Sequence, residues 1–206
     1  MYLDHFNLHR FPFPNTADLD HFFEQGKRDI IIKALGYAIL HEEGLTTVVG
    51  KIGVGKSTIL RMLVKILPPT VETVVIDDPR LSPNEFLAAI ARQLNLVTAK
   101  GKNSQDIRNI LISYLTQRQL EQKRVVIIID ETQYISASVL EEIHMLSNLE
   151  KDEKRLLQWV LFGQPQMEEQ LSGKAASPLK DRIINRIHLE PLSMEVNFRL
   201  SHSFLK

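Results

Sequence analysis

Apolar positions along this chain keep two rhythms that alternate from residue 27 onward. Short runs rich in β-branched residues, Leu45 to Val49, Val71 to Ile76 and Arg124 to Ile129, read as strands. Between them apolar residues recur at helical period. Over Lys27 to Glu42 the face is Ile31, Ala34, Leu35, Ala38 and Ile39; over Lys56 to Leu67 it is Ile59, Leu60, Leu63 and Ile66, stopped by Pro68-Pro69. Ser82-Pro83-Asn84-Glu85 is a capping box with proline at the first helical position, which predicts a helix to about Leu94. Another helix is expected over Gln105 to Glu121, and Ser138 to Glu141 reads as a second capping box ahead of Leu140, Ile143 and Leu146. Leu156 to Phe162 and Ile187 to Leu189 complete a set of five strands. Alternation of this kind predicts an α/β fold with a mainly parallel sheet.

Residues 1–26 break the rhythm. They gather Phe6, Phe11, Phe13, Phe22 and Phe23 with Pro12 and Pro14, and are expected to form an extended aromatic arm lying on the domain. At 206 residues the chain suits one domain or a domain with an appendage, and 44% hydrophobic residues suffice for a core. Lys+Arg and Asp+Glu stand at 25 each, so net charge is zero and advertises no nucleic acid or anionic membrane, though a local patch stays open. The absence of cysteine removes disulfides, thiolate zinc sites and cysteine nucleophiles, and fits a reducing compartment. No basic segment followed by an apolar one opens the chain, and runs such as Val125 to Ile129 are too short to span a bilayer. A soluble, cytoplasmic protein is expected.

Gly50-Lys51-Ile52-Gly53-Val54-Gly55-Lys56-Ser57-Thr58 satisfies G-x-x-x-x-G-K-[ST], the Walker A pattern, between a predicted strand and a predicted helix. Backbone N–H groups must wrap a phosphate there, which needs φ values that Gly53 and Gly55 reach without a Cβ penalty. Lys56 offers a charge to β- and γ-phosphates of ATP, and Ser57 a hydroxyl ligand to Mg²⁺. Val125-Val126-Ile127-Ile128-Ile129 reads as a strand buried on both faces, with Asp130 at its carboxyl end, where ligands of α/β sheets bind. Asp130 suits the ion, and Glu131 suits polarisation of the attacking water. Gln164, after the fourth strand, fits orientation of that water or contact with the γ-phosphate; it equally fits capping of the helix that Pro165 starts. Arg182 and Arg186 fit arginines acting in trans on a neighbouring subunit's γ-phosphate, or two solvated arginines on a short helix. Asp77-Asp78 reads as a strand end rather than a metal pair, and His41 and His144 lack ligand spacing.

Met1-Tyr2-Leu3-Asp4-His5-Phe6 with Pro12-Phe13, the Walker A, Ile129-Asp130-Glu131-Thr132-Gln133 and Phe162-Gly163-Gln164-Pro165 together resemble AAA+ ATPases of the general secretion pathway protein A type. Arg182-Ile183 and His188-Leu189-Glu190-Pro191-Leu192-Ser193 are similar to that family's stretch before its lid. The resemblance implies a P-loop NTPase three-layer α/β/α sandwich with sheet order 5-1-4-3-2. It also implies Mg-ATP hydrolysis in a homo-oligomeric ring, such as a hexamer, and a role in energising type II secretion or pilus assembly at the inner membrane. On this reading residues 1–26 are the arm, 27–193 the ATPase core and 194–206 the start of an incomplete helical lid, so weak turnover by the bare chain is expected. The family's arm carries a histidine where this chain has Gly26-Lys27-Arg28-Asp29. Two other functions stay open: a DNA-linked transposition ATPase using Lys151, Lys154, Arg155, Arg182 and Arg186 on phosphates, and a nucleotide-dependent scaffold with little turnover.

Overall fold

The computed structural model describes residues 27–41, 44–96, 101–151, 154–173 and 177–191. The expected aromatic arm, residues 1–26, and the expected lid segment, residues 194–206, lie outside them. Five strands build one sheet: β1 Leu45–Gly50, β2 Val71–Ile76, β3 Arg124–Ile129, β4 Gln158–Gly163 and β5 Ile183–Leu189. Their order is β2-β3-β4-β1-β5, and every neighbouring pair is parallel. A two-residue antiparallel pair, Glu150–Lys151 with Lys154–Arg155, stands apart.

Helices cover both faces: α1 Lys27–Leu40, α2 Lys56–Ile66, α3 Pro83–Gln93, α4 Ser104–Leu120, α5 Ala137–Ser147, α6 Gln166–Ser172 and the single turn α7 Ser177–Lys180. Because side chains alternate across a strand, the central strands feed two separate cores. Ile127, Ile129, Trp159 and Leu161 pack on one face with residues of α3, α4, α5 and α6. Val126, Ile128, Val160 and Phe162 pack on the other with residues of α1 and α2. Helix, sheet, helix gives three layers.

Local chemistry explains most element ends. Ser82 caps α3 as a complete capping box: its Oγ accepts from Glu85 N at 3.4 Å, and Ser82 N donates to Glu85 Oε2 at 2.9 Å. Asn103 caps α4 through its side chain, one turn position earlier than the periodicity implied. At α5 the expected Ser138 cap is wrong. Ser136 is the cap, accepting from Val139 N at 3.4 Å, while Ser138 only shares a hydrogen bond with it. The physical reason is a hydrophobic staple: buried Ile135 precedes the cap and Leu140 follows four helical positions on, in the same core.

β5 is also longer than expected. Ile183, Asn185, Ile187 and Leu189 face inward at period two, with Ile184, Arg186 and His188 exposed between them, as befits an edge strand. The short helix ends at Lys180, so Arg182 lies on a turn and Arg186 on the strand; neither is on a helix. At the opposite edge, Gln93 reaches from the last turn of α3 to β2. Its Oε1 accepts from Val75 N at 2.9 Å and its Nε2 donates to Val75 O at 2.6 Å, so one amide imitates a missing strand.

Candidate functional site

The site forms where β1, β3 and β4 end at the same edge of the sheet. β1 closes on Gly50, where a Cβ would stand 2.7 Å from Val54 Cγ2 and 2.9 Å from Leu189 Cβ; only glycine fits. Gly53 and Gly55 both take positive φ, 79° and 89°, which L side chains rarely adopt. Gly55 is the residue before α2, and no side chain caps that helix. The first N–H groups of α2 therefore point outward from a surface loop at the positive end of the helix dipole, the physical make-up of an anion cradle. Lys56 is buried, and its Nζ folds back over the loop to Gly50 O at 2.9 Å and Lys51 O at 3.1 Å.

Asp130 emerges from β3 opposite this loop and is buried. Its Oδ2 accepts from Ser57 Oγ at 2.7 Å, and its Oδ1 accepts from Glu131 N at 2.9 Å. Hydroxyl and carboxylate oxygens, 73 residues apart in sequence, thus lie side by side. Both are hard oxygen donors of the kind Mg²⁺ takes, so the residues present fit that ion. Glu131 takes a left-handed backbone, φ 50° and ψ 40°. Its Oε2 accepts from Gln133 Nε2 and, at 3.4 Å, from Gln164 Nε2. The amide of Gln164 therefore turns toward Glu131, and α6 has no side-chain cap, which overturns the capping alternative.

Sequence reasoning missed two residues. Gln133 joins Glu131 to the end of β4, its Oε1 accepting from Gln164 N at 3.0 Å. Arg28, in the first turn of α1, donates to Val54 O at 2.5 Å and lies against Gly55. Partial burial pulls its pKa below the ordinary arginine value. A cation in the first turn of a helix opposes the dipole, and that mismatch was the available signal that Arg28 serves something other than its own helix.

The remaining candidates lie apart from this cluster. Arg182 donates to Glu150 Oε1 at 3.2 Å, and Arg155 approaches the same carboxylate at 3.8 Å. Arg186 is exposed on β5 and borders a groove lined by Ala34, Tyr37, Ala38 and Thr46. Asp78 pairs with Arg80, whose hydrogen bonds hold its carboxyl below the usual range. His41 stacks on Tyr37, and His144 meets Asn148. Among the described residues no group of three or more His, Asp or Glu side chains could hold a metal by itself, and no helix is long and apolar enough to cross a membrane.

A model of the AAA domain family matches residues 39–171. General secretion pathway protein A of Aeromonas hydrophila is 33% identical over 205 residues, a match that covers 97% of this chain and 38% of that protein. This chain therefore spans well under half the length of that relative. Among solved structures, Cdc6p of Pyrobaculum aerophilum has a TM-score of 0.72 at 16% identity, covering 93% of this chain and 52% of the other. The ORC2 protein of Aeropyrum pernix, solved as ADPNP and ADP complexes, has a TM-score of 0.69 at 16% identity, over 95% of this chain and 55% of its own. At that identity the likeness speaks for the fold, an α/β P-loop architecture.

Proposed function

This chain belongs to the AAA domain family, and from that premise we propose that it binds Mg-ATP and hydrolyses it. The observation that carries the reading is the Ser57 Oγ to Asp130 Oδ2 contact of 2.7 Å, which joins the two motifs that one ion and one nucleotide need together. Residues 50–58 wrap the phosphates with backbone N–H groups. Lys56, already held over the loop by two carbonyls, lends its charge to the β- and γ-phosphates. Ser57 and Asp130 would hold Mg²⁺, which would supply charge neutralisation at the phosphate oxygens. Glu131 accepts a proton from the attacking water, and Gln164 orients that water or meets the γ-phosphate. Arg182 and Arg186 are the candidates for a cation offered to the site of a neighbouring copy in a homo-oligomeric ring.

Similarity to general secretion pathway protein A supports a place beside the inner membrane, where hydrolysis would energise assembly of type II secretion or related pilus machinery. The test begins with the nucleotide. Calorimetry with Mg-ATP should give saturable binding to the wild type and none to Lys56→Ala at the same concentrations. Melting temperature should stay close to wild type, because Lys56 contacts loop carbonyls rather than either core. Equal affinity in the two proteins would refute the assignment.

A further inference from the structure

Glu131 sits on a turn that is fixed at every step. Tyr134 N donates to Glu131 O at 3.0 Å, Ile135 N to Thr132 O at 3.1 Å, and Gln170 Nε2 of α6 to Ile135 O at 2.5 Å. Gln133 is carried on this turn, and its side-chain amide is used at both ends. Nε2 donates to Glu131 Oε2, and Oε1 accepts from the backbone N–H of Gln164 at 3.0 Å. Only one orientation of the amide serves both contacts. Turned over, it would set an oxygen against a carboxylate and an NH₂ group against an N–H.

Gly163 makes the bridge fit. A Cβ there would stand 2.6 Å from Met167 Sδ and 3.3 Å from Gln133 Oε1. With Oε2 held by two amides, the other carboxylate oxygen, Oε1, accepts no hydrogen bond among the described residues. One oxygen is anchored and one is presented.

We propose that Gln133 is a positioning residue for Glu131: it fixes which carboxylate oxygen faces the attacking water and ties that orientation to the end of β4 through Gln164. The inference rests on Glu131 being the group that takes the water's proton. Gln133 itself touches no reacting atom. A misplaced base by about 1 Å costs on the order of 10²-fold in rate, so the bridge has leverage without chemistry of its own.

Two variants separate its two ends. Gln133→Ala removes both contacts. Gln133→Glu keeps an acceptor for Gln164 N–H but sets a second carboxylate against Glu131, and like charges repel that side chain from its held orientation. In single-turnover ATP cleavage by the full chain in excess, Gln133→Ala should be slower by roughly 10- to 100-fold, with ATP affinity and melting temperature near wild type. Gln133→Glu, whose carboxylate repels that of Glu131, should be slowed at least as much, with ATP affinity again near wild type. The Gln164 amide proton resonance should move upfield in Gln133→Ala and stay close to wild type in Gln133→Glu. A wild-type rate in both variants would overturn the inference. Glu131→Gln distinguishes the two failures: wild-type cleavage there removes the role of Glu131 itself, whereas loss of cleavage in Glu131→Gln beside an unaffected Gln133→Ala removes only that of Gln133.

Discussion

Asp130 and Glu131 are adjacent carboxylates with opposite surroundings. Asp130 is buried against Ser57 Oγ and the Glu131 N–H, whereas Glu131 is half-buried and met by two side-chain amides on one oxygen. Their loss should therefore differ in kind. Glu131→Gln is expected to retain Mg-ATP and stop its cleavage, seen as stoichiometric nucleotide that survives gel filtration uncleaved. Asp130→Ala should instead weaken binding in a Mg²⁺-dependent way, by on the order of 10-fold or more, since a buried charge-assisted contact is worth about 1.5–3 kcal/mol. Equal loss of affinity in both would contradict this division. The two motifs were legible in the sequence because each packs its chemistry into adjacent positions: nine residues from Gly50 to Thr58, and Asp130-Glu131 after an apolar strand. Arg28 and Gln133 were not, because each also reaches a backbone group, 26 and 31 residues away respectively, and no spacing rule announces such a contact.

At the scale of elements, parallel strands buried on both faces were easy to read, and edges and caps were harder. β3 is a continuous apolar run, and its bounds agree with the pattern. β5, half exposed, was cut short because Asn185 and Arg186 interrupt the apolar run while its inward positions keep period two. Ser136 rather than Ser138 caps α5 because Ile135 before it and Leu140 after it share one core, a constraint the cap residue alone does not reveal. The capping box of α3 has a pH signature. Hydrogen bonds from Ser82 hold the Glu85 carboxyl below the ordinary glutamate value. A depressed folded-state pKa means the contribution is complete above the unfolded value and is lost as pH falls through the lower, folded one. The gap in melting temperature between wild type and Ser82→Ala should accordingly narrow in acid and widen above the glutamate range, the Glu85 N to Ser82 Oγ bond leaving a remainder of it at every pH; a constant gap across pH would refute the linkage. At the β2 edge, Gln93→Ala exposes the N–H and C=O of Val75. It should lower stability by about 1–2 kcal/mol and raise light scattering with protein concentration, because an open strand is a template for pairing. Scattering equal to wild type would show the edge to be protected by something else.

For the molecule as a whole, the question is whether one chain holds a full site. Arg182 is engaged with Glu150 and Arg186 is exposed on the outermost strand, so both stand apart from the Ser57–Asp130 cluster. If either serves a neighbouring copy, two inactive proteins should repair each other. Glu131→Gln keeps the arginines and Arg186→Ala, or Arg182→Ala, keeps the carboxylate, so an equal mixture should regain turnover that neither shows alone. A trans arginine is worth about 10³ to 10⁵ in rate, which makes the gain easy to see. No gain for either arginine would assign the cation elsewhere. The ladder between β5 and β1 gives this arrangement a mechanical side. Arg186 pairs in register with Thr47, and Leu189 with Gly50, the glycine wedged between Leu189 and Val54. Three residues of parallel strand, roughly 10 Å, separate the two rungs. In an assembly of such copies, a pull on the guanidinium from an adjoining copy would reach the same chain's phosphate loop through three residues of unbroken parallel strand.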